Sequence, residues 1–224
     1  MWLDLVAAVV PMVLAAAPAT YNKQFLALGD SYTIGEGVAA AERWPAQLAG
    51  LLHAQGIALD PPEIIARTGW TTDELAAAMD AHTFKSPYAL VSLLIGVNNQ
   101  YRGRDLENYR VELRRLLERA IALAGDRPQR VIVVSIPDWG VTGFGHASGR
   151  DVNQIAREID AYNAANAQIA KILQVRYVDV TAESRDAADG SRALVADGLH
   201  PSAEMYRRWA QLILPTAQSA LSSP

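Results

Sequence analysis

The sequence predicts one three-layer α/β/α domain of the α/β class, built on a five-stranded parallel sheet. Three observations carry the prediction. Short, continuously apolar runs recur along the chain, amphipathic helical periods separate them, and no linker, repeat or low-complexity tract divides the 224 residues. Strands that read as unbroken apolar runs belong to a sheet covered on both faces, whereas a half-exposed sheet would show alternation. Regular succession of strand and helix then selects a doubly wound architecture.

Five runs are assigned as strands: Phe25–Leu28, Glu63–Ala66, Ala89–Ile95, Arg130–Ile136 and Val175–Val180. Thr71 followed by Glu74 forms a capping-box signal that opens a helix at Thr72. Leu106, Tyr109, Leu113, Leu116, Leu117 and Ala120 share one helical face, as do Ile155, Ile159, Tyr162, Asn166, Ile169 and Leu173. Pro201 is expected in the first turn of a last helix, where its missing N–H is no loss, with Met205, Trp209, Leu212 and Ile213 facing the core. The Arg-rich stretch from Arg102 to Arg119 is interleaved with Glu107, Glu112 and Glu118, which reads as a solvated face. Arg102 and Arg104 are expected to pair with Asp105 and Glu107.

Composition narrows the function. With 20 Lys+Arg against 24 Asp+Glu, the formal charge of −4 offers no basic field for a nucleic acid backbone. The absence of Cys excludes disulfides, thiolate metal sites and a Cys nucleophile. Half the residues are apolar, enough to bury a sizeable core.

Residues 1–20 stand apart from the domain expected over 21–224. Leu5–Ala19 is apolar throughout and ends in Ala17-Pro18-Ala19. It is shorter than the ~20 residues a stable membrane span requires and reads as a removable export leader. Asp4 and Pro11 depart from the leader pattern. The alternative is an apolar helix packed on the domain or on a second copy of the chain, making a homo-oligomer. With a leader the protein is expected in the periplasm or secreted; without one, in the cytoplasm.

Ligands of an open parallel sheet bind beyond the carboxyl ends of its strands. The loops there carry Gly29-Asp30-Ser31, then Gly69-Trp70, then Gly96-Val97-Asn98-Asn99, and finally Asp197-Gly198-Leu199-His200. A Ser hydroxyl becomes a useful nucleophile when a neutral imidazole takes its proton. His200 is the candidate base, and Asp197, three residues earlier, is close enough to orient it. The backbone N–H groups of Ser31 and Gly69 and the amide of Asn98 are candidate donors to an oxyanion.

These four blocks, in this order, resemble the SGNH (GDSL-type) serine hydrolases from the first strand to the last helix. The resemblance implies a flavodoxin-like fold and a Ser31–His200–Asp197 triad. It also implies an oxyanion hole of Ser31, Gly69 and Asn98, and hydrolysis of esters or thioesters with no cofactor or metal. Two positions depart from the family pattern: Asn99 stands where Asp is usual, and Tyr32 where Leu is frequent. The expected activity is hydrolysis of short-chain acyl esters; lysophospholipids, thioesters and sugar acetates are alternatives on the same triad.

Bland readings stand beside these. Ser31 alone would read as a helix cap, and Asp30 and Asn99 read as structural. His53, His82 and His146 lack companions in the sequence; His146, in a Gly-rich loop, is the one rival base. Trp70, Tyr101, Trp139 and Phe144 lie on the rim loops, where they either wall a substrate pocket or pack the loops. A nucleotide-binding oxidoreductase is suggested by Gly35-Glu36-Gly37-Val38-Ala39-Ala40, but six residues intervene between strand and fingerprint, and Arg67 replaces the acidic residue after strand two. A non-catalytic ligand-binding domain of the same fold is the rival of another class. An α/β-hydrolase elbow fails at Thr33.

Overall fold

The computed structural model describes residues 23–186 and 192–222. The apolar segment 1–20 lies outside them. Five parallel strands form one sheet: β1 (Phe25–Gly29), β2 (Glu63–Ala66), β3 (Leu90–Leu94), β4 (Val131–Val134) and β5 (Arg176–Val178). Their order is β2-β1-β3-β4-β5. All five expected strands are present: β2 has the expected bounds, β1 runs one residue further, and β3, β4 and β5 are trimmed by a residue or two at each end. β1, β3 and β4 are buried along their whole length, which is why their sequences do not alternate.

Helices cover both faces. On one side lie α2 (Trp44–Ala54) and α9 (Ala203–Ser222), packed on each other; on the other lie α3 (Thr72–Asp80), α5 (Leu106–Leu123) and α7 (Val152–Ile172). Trp44, Leu48 and Leu52 point α2 inward, a four-residue spacing that marks this helix in the sequence too. The faces expected of α5 and α7 are the buried ones, with Leu106 and Leu173 at their half-buried ends. α3 starts where expected: Glu74 accepts a hydrogen bond from the Thr71 N–H at 2.9 Å.

Two expectations for the last helix need correction. Pro201 precedes it and pairs with Leu194 in an isolated antiparallel bridge, while Ser202 caps the helix by accepting from the Met205 N–H. The hydroxyl satisfies an orphan N–H that proline leaves open. Leu212 is exposed, because the buried stripe runs through Met205, Tyr206, Trp209, Ala210, Ile213 and Ala217. Trp209 and Ile213 are four apart, and Leu212 falls to one side of the line joining them.

Strand order reverses between β1 and β3, the switch point where open sheets place their sites. Gly29 pairs with both Ala66 and Leu94, so three strands end level with one another. Ser31, Gly69 and Asn98 follow those ends by two, three and four residues. Register alone therefore puts them at one rim.

Candidate active site

β1 runs directly into α1 (Ser31–Ile34). The turn is tight because Gly29 carries no side chain: a Cβ there would lie 2.2 Å from Thr33 Oγ1 and 2.4 Å from the Leu94 carbonyl. Asp30 caps α1, its Oδ1 accepting from the Tyr32 N–H at 3.0 Å. Asp30 is fully buried, and burial raises its carboxyl to about 7 against the lowering effect of that bond. Ser31 opens the helix and is only 5% exposed. As the first residue of a helix its N–H has no intrahelical acceptor.

Gly69 lies in the turn after β2 at φ +88°, where a side chain would be strained. Its own N–H and that of Ser31 donate to no backbone acceptor among the described residues. Asn98 sits on α4 (Val97–Tyr101), after β3, and its Nδ2 donates to the Trp70 carbonyl at 3.0 Å. The amide keeps a second N–H for other use. Asn99 points the other way, into the core. It accepts from the Thr72 N–H at 3.1 Å and donates to Thr72 Oγ1 at 2.6 Å, while the Thr72 hydroxyl donates to Glu112. A carboxylate in place of Asn99 would meet a hydroxyl whose proton is already committed, which accounts for the amide at this position.

The fourth loop closes over the first. His200 Nδ1 lies 2.6 Å from Asp197 Oδ2, and Asp197 Oδ1 accepts from the N–H groups of Leu199 and His200. Partial burial pushes the Asp197 carboxyl up, but these bonds outweigh it and hold it below the usual carboxylate range. The His200 ring packs against the ring of Tyr32, the residue after Ser31, with centroids 5.6 Å apart. Among the described residues His200 bonds through its ring and N–H to Asp197 alone, so no Ser31–His200 hydrogen bond is closed. Nucleophile–base bonds of this kind are often long without substrate and tighten when it binds.

Tyr101, Trp139 and Phe144 form one cluster at the rim, with centroids 5.3–6.2 Å apart; Tyr101 and Phe144 are exposed while Trp139 is buried. The cluster is tied to the His200 loop by the Phe144 N–H, which donates to the Gly198 carbonyl at 3.0 Å. The Trp139 indole donates to Gln100, which donates to Glu158, the partner of Arg150. Trp70 is half-buried in its turn.

Other expectations change. Arg102 and Arg104 do not pair with Asp105 and Glu107; they reach across to Glu74 and Asp73 of α3. Asp105 is engaged as the cap of α5 and Glu107 with Arg110. His82 does have a companion, Glu63 at 2.6 Å, at the opposite end of the sheet. His146 lies exposed on the short helix α6 (Gly143–Ala147). Among the described residues no group of three or more His, Asp or Glu is placed to hold a metal ion, and no helix is long and apolar enough to cross a membrane.

Residues 27–208 match the model of the GDSL-like lipase/acylhydrolase family. The chain belongs to that family. It is accordingly a hydrolase of the GDSL type, and the nucleotide-binding reading falls away. No curated protein matches it by sequence. Solved structures do. TesA is 21% identical with a TM-score of 0.70, covering 88% of this chain and 99% of that one. The psychrotrophic esterase EstA from Pseudoalteromonas sp. is 17% identical with a TM-score of 0.68, covering 90% and 100%. Axe2, an acetyl xylan esterase from Geobacillus stearothermophilus, is 21% identical with a TM-score of 0.62, covering 87% and 94%. At these identities the likeness establishes the shared fold of the GDSL hydrolases.

Proposed function

We propose that this GDSL-family hydrolase cleaves short-chain carboxylic esters through an acyl-enzyme on Ser31. The observation that carries the reading is the Asp197–His200 pair held against Tyr32, the residue that follows Ser31 at the switch point. With its Nδ1–H donating a hydrogen bond to Asp197, the neutral ring presents Nε2 as a base.

Ser31 Oγ adds to the ester carbonyl and its proton passes to His200 Nε2. The oxyanion is received by the N–H groups of Ser31 and Gly69 and by Asn98 Nδ2, a single such donor contributing about 3–4 kcal/mol. Collapse expels the alcohol, which takes the proton from Nε2. Water then repeats the cycle on the acyl-enzyme and frees the acid.

Short acyl groups suit a rim whose loops carry only helices of four or five residues, α1, α4 and α6, with no added lid domain among the described residues.

Ser31→Ala and His200→Ala are each expected to lower turnover of p-nitrophenyl acetate by about 10³-fold or more while leaving thermal unfolding unchanged. A fluorophosphonate should label the native chain once, at Ser31, and leave Ser31→Ala unlabelled. Full turnover by Ser31→Ala ends the reading. An ester series from acetyl to palmitoyl, extended to acetylated xylan, lysophospholipid and acyl-CoA, separates the substrate classes, and the acetyl end is expected to win.

A further inference from the structure

The helix that carries Asn98 reaches back to the turn after β2 twice. Asn98 Nδ2 donates to the Trp70 carbonyl at 3.0 Å, and Arg102 Nη2 donates to the Gly69 carbonyl at 2.6 Å. The two residues are four apart and so share one helical face. Arg102 is itself fixed at both ends. Its N–H bonds to the Asn98 carbonyl at 3.1 Å, and its Nη1 lies 3.3 Å from Glu74 Oε2 on α3.

Peptide units are planar, so holding a carbonyl fixes the whole unit. The units that follow Gly69 and Trp70 are both held this way. On the other flank, the Thr68 hydroxyl is bonded to Glu36. Packing does not do this work, because a Cβ built on Gly69 would find only Arg102 Nη2, at 3.7 Å. Gly69 at φ +88° has the freedom to turn; the Trp70 N–H closes the turn on the Arg67 carbonyl at 3.2 Å, and the carbonyl bond to Arg102 holds the other side of the same peptide unit.

We propose that Arg102 is a positioning residue for the oxyanion hole: by gripping the Gly69 carbonyl it fixes the peptide unit after Gly69 and, in a turn closed by the Trp70 N–H on the Arg67 carbonyl, limits the swing of the preceding unit that carries the Gly69 N–H. The inference rests on the acyl-enzyme reading of the site. The planar guanidinium serves the Gly69 carbonyl and Glu74 together, which one ammonium group cannot do with the same geometry.

The test is single-turnover acylation by p-nitrophenyl acetate, a neutral ester, with the full chain. Arg102→Met should slow acylation about 10- to 100-fold, the scale of a misplacement of about 1 Å, with KM within about twofold of native. Arg102→Lys should fall between Arg102→Met and native. Combined with Asn98→Ala, the loss should be smaller than the product of the two single losses, since both residues hold one turn. A native acylation rate in Arg102→Met overturns the proposal. So does a loss confined to KM, or one confined to an anionic ester such as a succinate monoester, which would make Arg102 a substrate contact. Should Arg102→Met not fold, a native rate in Arg102→Lys overturns it equally. If the native chain labels at Ser31 and turns over while both variants match it, this inference fails and the esterase reading stands. If the native chain neither labels nor turns over, both fail.

Discussion

Asp30, the residue before Ser31, is a fully buried carboxyl, and only one of its oxygens is satisfied. Its carboxyl is raised to about 7, against about 3.9 for an exposed Asp. Between those values the folded chain holds a proton that the unfolded chain has lost. Stability from this group is therefore complete below about pH 4 and declines as pH rises toward 7. Asp30→Asn keeps an oxygen for the Tyr32 N–H and removes the titration. Its stability relative to native should climb from pH 4 to 7 in denaturant unfolding and level off above. Two parallel pH curves would contradict the assignment. Asn99 shows what local pattern leaves unread: its residue type looks like a family exception until Thr72 and Glu112 are seen beside it, 27 and 13 residues away in sequence.

Elements were legible to the extent that their signals are local. The five strands, the two amphipathic helices and the start of α3 follow from runs and spacings inside each element. The start of the last helix is less legible, because Ser202 takes the cap while Pro201 is engaged in a bridge to Leu194. The β1–α1 junction is where element geometry meets the site. A Cβ on Gly29 would collide with the Leu94 backbone carbonyl, which cannot move without parting β1 from β3. Gly29→Ala should destabilise the chain by about 1–3 kcal/mol, the usual penalty of overpacking, and slow acylation by displacing Ser31. Gly50→Ala on the exposed face of α2, where nothing lies within 4 Å, should instead stabilise by about 0.5–1 kcal/mol. Urea unfolding of the pair checks both signs, and equal effects would refute the steric account.

At the scale of the molecule, α9 joins the site to the core. Trp209 is fully buried, its ring 5.3 Å from Tyr206 and 6.1 Å from Tyr32, which in turn packs on His200. Trp209→Ala should lose about 3–5 kcal/mol and lower the unfolding midpoint by about 10 °C, with Trp209→Phe much milder. A midpoint within 2–3 °C of native, roughly the effect of 1 kcal/mol in a chain of this size, would show that the ring is not holding α9 down.

Residue pattern alone yielded the α/β class, the strands and the four loop blocks, because burial periodicity and the residues that follow a strand are written within short windows. It could not yield the grip of Arg102 on Gly69, the Asn99–Thr72–Glu112 chain or the His82–Glu63 pair. Each of these joins segments 19 to 40 residues apart. Such partners are set by sheet order and by the height at which each strand ends, and those emerge only when the whole chain packs.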